Sequence, residues 1–457
     1  MFRLLTLLMV CSVFMDDFFF FRAPFDFYYY YLIYLLFIIS VIVKNRSLNL
    51  LPSWFTWFML VLYGISLAVS STYDTLGFHL VKQFLGITYS AIAFYLLLKS
   101  NSFNIMKIFN IYLQVAFWVA LWGLFVEFLM LNGIFISQKI KTTTTGFYRV
   151  YSIMGEPYFL AVALMPAMYY CLYRLINEAS YRYNIRNLFQ GGVIFVCFVL
   201  TFSSAGYMGL ILMVVMYMYS ANYFSIIEGR LKFLIMPVII ILFFTFYNNL
   251  KDAFYEFQVR VDDTLSMFQT KDGVVDVKKM SKVNSSTFAL YTNYIIAKES
   301  FQRNPLFGSG LGSHPINYDI TFAKYFPADF TERFGTFNKF DANSLFLRLM
   351  SETGLFGLTM LFLFLFRFFM GKKYIVNPHL REINIVNQGI FILIIVRLIR
   401  TGSYFGNGFF LFIFMYYYTN RIAKGKIRVP WLNYDGKKTA DSPPASAEGL
   451  AGQPSPN

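Results

Sequence analysis

The feature that most constrains this chain is a series of apolar runs, each near the length that crosses a bilayer. An α-helix rises 1.5 Å per residue, so about 20 apolar residues span the hydrocarbon core. Such runs fall near 4–21, 27–43, 53–69, 83–98, 108–131, 157–173, 188–203, 205–222, 232–248, 342–369, 383–400 and 404–420. In lipid every backbone polar group must be satisfied internally, which leaves helices or a closed barrel. Runs of this length, without period-two alternation, predict helices: an all-α polytopic membrane protein of about 12 spans. Composition agrees. Only 14% of residues are charged and the mean hydropathy is +0.53, against about a quarter charged in soluble domains. The first run, "MFRLLTLLMVCSVFM", has the charged start and apolar middle of a signal peptide. It lacks a small-residue cleavage site and reads as a short first span.

A formal net charge of +15 raises the question of nucleic acid. A nucleic-acid surface interleaves exposed aromatics with a basic patch. Here the aromatics lie inside the apolar runs and the cations lie between them, which excludes that class. The cations follow the positive-inside rule instead. With the N-terminus inside, the inner segments hold Lys44 and Arg46; Lys99 and Lys107; Arg174, Arg182 and Arg186; Arg230 and Lys232; Lys372, Lys373 and Arg381; and Arg421, Lys424, Lys426 and Arg428. Short outer segments such as "SSTYDTLGFHL" and "SYFGNG" hold almost none. Both termini are therefore expected in the cytoplasm.

Cys11, Cys171 and Cys197 all fall in apolar runs, which argues against a disulfide framework. His79, His314 and His379 are far apart, and no His, Cys or carboxylate cluster has metal-ligand spacing. No metal and no cofactor is expected.

The implied organisation is spans one to nine in 1–248, a large outer loop in 249–341, spans ten to twelve in 342–420, and a tail from 421. The end of the tail is rich in Pro, Ala, Ser and Gly and reads as disordered. A loop as long as 249–341 suggests function. It contains an amphipathic helix, "STFALYTNYIIAKESFQRN", with Leu290, Tyr294 and Ala297 on one face, suited to lying on the membrane surface. No inverted repeat is visible, which argues against a symmetric transporter.

Four groups carry candidate chemistry, since ionisable residues at membrane depth are costly. In "FYRVYSIMGEPYFLAV", Glu156 precedes Pro157, a favoured first helical residue. Glu156 is either a cap paired with Arg149 or a group that orients or deprotonates a substrate hydroxyl. In "IIVRLIRTGSYFG", Arg397 and Arg400 share a helical face. Arg397 lies roughly 20 Å along its helix, in the outer part of the membrane. Both arginines either snorkel to headgroups or hold a pyrophosphate, to which guanidinium is suited. In "DANSLFLRLMSETGLFGL", Arg348 and Glu352 are spaced for mutual neutralisation, with Asp341 and Asn343 at the outer mouth. In "NPLFGSGLGSHP", Gly308, Gly310 and Gly312 fit neither a dinucleotide fingerprint nor a P-loop. The stretch reads as a flexible turn that places Arg303 and His314 near a cavity mouth.

Three stretches, in order, resemble the family of O-antigen polymerases (Wzy-type) and O-antigen ligases: "YRVYSIMGEPYFLA", "SSTFALYTNYIIAKESFQRNPLFGSGLGSHP" and "DANSLFLRLMSETGLFGL". Two positions depart from it. Ala342 stands where ligases carry a histidine before the Asn, which favours polymerase over ligase. "TFALY" stands where an arginine often follows the Ser-rich start. The resemblance implies a GT-C-like membrane glycosyltransferase for lipopolysaccharide biosynthesis, in the bacterial inner membrane. Donor and acceptor would be undecaprenyl-pyrophosphate-linked oligosaccharides, with a flippase and a chain-length regulator as further partners. For that reaction the candidate catalytic residues are Glu156, Arg397 and Arg400, and the candidate substrate-binding residues are Arg149, Arg303, His314, Arg333, Asp341 and Asn343. Neither nucleotide nor metal is required, because the leaving pyrophosphate is already activated. A ligase, or a flippase for the same lipid-linked oligosaccharide, is the competing expectation; the large outer loop favours an enzyme.

Overall fold

A computed structural model describes residues 2–21, 26–45, 50–134, 146–221, 285–325, 336–429 and 432. The expected span at 232–248, most of the first part of the large loop, Arg333 and the end of the tail lie outside these residues.

The described chain is almost entirely helical. Its helices are α1 (Phe2–Cys11), α2 (Tyr29–Asn45), α3 (Ser53–Thr72), α4 (Phe78–Ser100), α5 (Ile105–Leu131), α6 (Pro157–Asn177), α7 (Ala179–Arg182), α8 (Ile185–Leu200), α9 (Ser204–Ser220), α10 (Ser285–Arg303), α11 (His314–Tyr325), α12 (Leu345–Glu352), α13 (Gly354–Phe368), α14 (Lys373–Val376), α15 (Pro378–Arg400) and α16 (Phe409–Ala423). Among the described residues, six stretches are long and apolar enough to cross a membrane: α3, α4, α5, α6, 354–375 and 380–400. Four further apolar helices are shorter, among them Phe2–Phe14 and Ser204–Ser220. This is an all-α polytopic membrane protein. Trp57, Leu60, Leu363 and Phe366 are exposed, as apolar side chains are where a helix faces lipid rather than protein.

Two expected spans differ in detail. The run at 4–21 is not one helix. It ends in a 3-10 turn at Ser12–Phe14, and Phe19–Phe21 pairs antiparallel with Phe27–Tyr28. The adjacent carboxylates of Asp16 and Asp17 explain the stop, since neither can continue into hydrocarbon unpaired.

The run at 342–369 is broken between α12 and α13, where Gly354 takes φ +59°. The glycine-rich stretch fills the break. Ser309 and Gly310 N–H donate to the carbonyls of Ser351 and Glu352 (3.0 and 2.9 Å), while Leu355 and Phe356 N–H donate to Pro305 and Leu306 (2.8 and 2.9 Å). A helix end leaves such groups without intrahelical partners, and here the loop supplies them. Residues 308–315 are all buried. The glycines adopt φ between +65° and +91°, and a Cβ on Gly312 would lie 2.6 Å from the His79 carbonyl. The stretch is therefore a wedged structural element, not a flexible turn.

The amphipathic helix exists as α10, but its Leu290, Tyr294 and Ala297 face packs against Ala342, Phe346, Leu347 and Met350. Protein, not lipid headgroups, covers it.

Helix α15 is the centre of the bundle and packs closely on α6; a Cβ at Gly389 would meet Pro166 Cα at 3.1 Å. Buried amides join helices where the surroundings are apolar. Gln388 Oε1 accepts from Tyr169 Oη and Ser220 Oγ (2.8 and 2.9 Å), and Asn387 bridges Met370 N–H to Thr419 Oγ1 (2.9 and 2.8 Å). Such interhelical bonds fix register without a hydrophobic driving force. At the opposite end of α15, its last turn carries Arg397 and Arg400 to the mouth described next.

Candidate active site

The mouth is built from five segments: the turn after α1, the start of α6, the turn between α8 and α9, the turn before α12, and the link from α15 to α16. Pro157 opens α6, because a proline nitrogen has no hydrogen to lose at a first helical position. Its N-cap is Glu156, extended at φ −142° and ψ 151°, with no cap bond from its side chain. That carboxylate lies within electrostatic reach of Arg149 and Asp341 instead. Glu156 is exposed as a residue, yet protein crowds its carboxyl. Burial raises its pKa; the Arg149 charge opposes that and the Asp341 charge adds to it.

Asp341 is half-buried and accepts from the backbone N–H of Asn343 at 3.1 Å. Burial raises its pKa too, against the pull of that N–H and of Arg348. Ala342 and Asn343 both take positive φ, +56° and +53°, a costly geometry for residues with a Cβ. The turn is fixed from three sides. Asn338 Nδ2 donates to Asn343 Oδ1 (3.0 Å), Ser344 caps α12 through Leu347 N–H (3.2 Å), and Ser344 Oγ donates to the Leu398 carbonyl (2.7 Å). Gly402 packs so tightly that a Cβ there would run into the Asp341 carbonyl oxygen.

Arg397 is 1% exposed. Snorkelling to headgroups would leave it exposed, so that explanation fails for this residue. Its Nη2 donates to the Ser403 carbonyl at 3.1 Å and its guanidinium covers the Phe409 ring at 4.5 Å. Its Nε is buried without a hydrogen-bond partner. Among the described residues no carboxylate forms a salt bridge with it. Tyr158, in the first turn of α6, links the cluster: it lies within electrostatic reach of Asp341, Glu156, Asp16 and Arg397. Arg400 is half-buried and donates to Ser204 Oγ at 2.7 Å; Arg149 Nε reaches the Thr201 carbonyl at 3.4 Å.

Asp16 joins this group although in the sequence it marks only the end of an apolar run. Its Oδ1 faces Gly155 N–H at 3.4 Å. Burial pushes its pKa up to about 7, helped by the nearby charges of Asp17 and Glu156. No spacing rule connects residue 16 to residue 156, so only the fold reveals the pairing.

The other sequence candidates lie elsewhere. His314 is wholly buried and shares a 2.8 Å bond with Asn293 Oδ1; burial, with Arg348 nearby, drives its pKa down to about 3. Arg303 is exposed and donates to Thr321 Oγ1 at 3.2 Å. Arg348 and Glu352 form a buried ion pair at 3.1 Å, and Tyr404 Oη donates to the same carboxylate at 2.9 Å. Arg348 Nη1 also donates to the Gly402 carbonyl at 3.0 Å. This pair holds the wall of the mouth. Among the described residues no group of three His, Cys, Asp or Glu side chains has the arrangement to hold a metal ion.

A mouth in which Tyr158 stands between a buried arginine and a group of carboxylates can bind a phosphate and accept a proton. Comparison with known families bears on what it acts on. Residues 192–362 match the model of the O-antigen ligase family. The match runs from α8 into α13 and includes Asp341, Asn343 and the Arg348–Glu352 pair. Asp16, Glu156 and Arg397 flank it in sequence and meet it in the fold. The match covers less than half of the chain and supports a likeness to the O-antigen polymerase and ligase family. No curated protein matches the chain.

Proposed function

We propose that this chain is a glycosyltransferase of the bacterial inner membrane that polymerises lipid-linked oligosaccharide repeat units at the periplasmic face. The observation that carries the reading is the state of Arg397: a buried guanidinium with an unpartnered Nε, beside Tyr158 and the carboxylates around it. A charge held this way is costly unless a ligand completes its shell. A pyrophosphate does so, and it gains most as the bond to the sugar breaks.

In the reaction, an acceptor hydroxyl attacks the donor's anomeric carbon. The new glycosidic bond forms, the bond to the lipid pyrophosphate breaks, and both electrons leave with the phosphate. Arg397 stabilises that departing charge, with Arg400 at the rim. The hydroxyl proton passes to a carboxylate, for which Glu156 is the first candidate. Its raised pKa makes it a better base than an ordinary surface glutamate.

A ligase, which moves finished polymer onto another acceptor, is the second reading, and the family match supports it equally. Ala342 supports the polymerase. Its methyl group packs with Ala297 and Leu347 and offers no titratable atom where the ligases that this sequence resembles carry histidine.

Surface glycan from cells that depend on this chain tests the proposal. With Arg397→Ala, single repeat units should still reach the final carrier while long chains disappear. Polymer that accumulates on its lipid without transfer would make the chain a ligase. Loss of every surface unit would make it a flippase. Glycan of ordinary length and amount would remove Arg397 from the chemistry.

A further inference from the structure

The end of the bundle opposite the mouth carries a second charged feature that the proposed reaction does not use. Arg367, Lys373, Arg421, Lys424 and Lys426 gather where α13, α14 and α16 end. Partial burial, and then the charges of the other four, press the pKa of Lys424 below the usual lysine value. Two carboxylates are described at this end, Glu178 and Glu382, and both engage Arg174, at 2.7 and 3.1 Å. Arg421 Nε is buried without a partner. Among the described residues, therefore, no acidic side chain pairs with these cations to offset their mutual repulsion.

One member of this cluster, Arg367, lines an apolar groove of about 450 Å³ between α3, α13 and α16, within the range of ligand-binding clefts. Phe368, Phe364, Trp54 and Phe55 line it too. Trp54 stacks on Tyr417, 4.6 Å between centroids, which firms the wall at this end. An apolar slot ending in clustered cations matches a molecule with a hydrocarbon chain and an anionic head.

We infer that this end of the groove binds an anionic phospholipid, its phosphate on Arg367, Arg421 and Lys424 and one acyl chain along Phe368, Phe364 and Trp54. The other end of the groove reaches Tyr404 and Phe409 in the wall of the mouth, but the headgroup site lies at the opposite end and uses no residue assigned to the reaction. A cation near a charged headgroup contributes about 1 kcal/mol, or about fivefold in affinity, so three together give a preference well above tenfold for an anionic over a zwitterionic lipid.

The test uses the full chain, purified in detergent and stripped of lipid. Its melting temperature is followed against phosphatidylglycerol, phosphatidylcholine, inorganic phosphate and an uncharged polyprenol. Phosphatidylglycerol should stabilise at concentrations at least tenfold below phosphatidylcholine. That preference should collapse at 1 M salt, because the cations are near the surface. The double variant Arg367→Gln, Lys424→Gln should lose it, and Arg367→Lys, Lys424→Arg should keep it. Equal stabilisation by phosphatidylcholine overturns the inference. So does stabilisation by inorganic phosphate alone, which would mark a soluble-anion site. Polyprenol acting as well as phosphatidylglycerol would give the groove to an uncharged chain and also overturn it. If the double variant does not fold, the lipid preference of the parent and its salt dependence decide.

Discussion

The guanidinium of Arg397 lies 4.5 Å from the centroid of the Phe409 ring and, among the described residues, pairs with no carboxylate. An arginine placed for stability would meet an acid, as Arg348 meets Glu352. This one rests on a π-face and a single carbonyl, with polar capacity unspent.

Arg397→Ala therefore separates two quantities that usually fall together. Removing a group that stabilises charge in the transition state costs about 10²- to 10³-fold in rate. Removing a buried, uncompensated charge leaves stability unchanged or raises it. The expected outcome is a melting temperature at or above the parent's, with transfer from a lipid-linked donor reduced at least a hundredfold. A matched drop in both would make Arg397 a structural residue.

Arg348 and Glu352 should behave in the opposite way. Glu352→Gln leaves a buried cation alone, and such breaks cost about 3–5 kcal/mol. Arg348→Met with Glu352→Leu removes both charges and should recover much of that loss. Thermal unfolding of the single and double variants measures the difference.

Asp16 gives a pH dependence whose sign follows from its raised pKa. Its carboxyl is held neutral in the fold up to about pH 7, whereas an unfolded aspartate ionises near pH 4. The native state thus binds the extra proton, and stability falls as pH rises from about 4 to 7. Asp16→Asn removes that slope. Between pH 5 and pH 8 its unfolding free energy should gain on the parent's by an amount on the order of 2–3 kcal/mol before local relaxation, read from thermal unfolding at each pH. Parallel profiles for the two proteins would show that Asp16 ionises freely.

Gly402→Ala should damage the mouth selectively. The added methyl group displaces the Asp341 carbonyl and with it the strained pair Ala342 and Asn343. Activity is expected to fall more steeply than the melting temperature, and Ser403→Ala beside it should be far milder. Equal effects would mean that the turn tolerates a shift.

Much of this was legible before the fold. Apolar run length predicts an all-α membrane protein, Pro157 predicts the start of α6, and the i,i+4 spacing of Arg348 and Glu352 predicts their pairing. Hydropathy fails where it averages over a defect. The run at 342–369 hides a break because Gly354 and Thr353 barely lower its mean, and the break exists because a distant loop supplies partners for the exposed backbone. Asp16 was invisible for a related reason. Its chemistry depends on burial and on Gly155 and Glu156, which only tertiary packing brings near. The glycine run was misread because its composition suits a mobile turn as well as a wedge; what decides is whether backbone or solvent surrounds it.

That wedge also orders events during synthesis. Thr75 Oγ1 donates to the Ser309 carbonyl at 2.8 Å, and the carbonyl of His79 faces Gly312. The corner between α3 and α4 is translated early, yet its closing contacts arrive more than two hundred residues later. The first half of the protein must wait as an open clasp in the bilayer, and it latches only when the stretch around Gly310 has emerged. A nascent chain truncated before that point should be a ready substrate for membrane quality-control proteases, and one truncated after α13 should not.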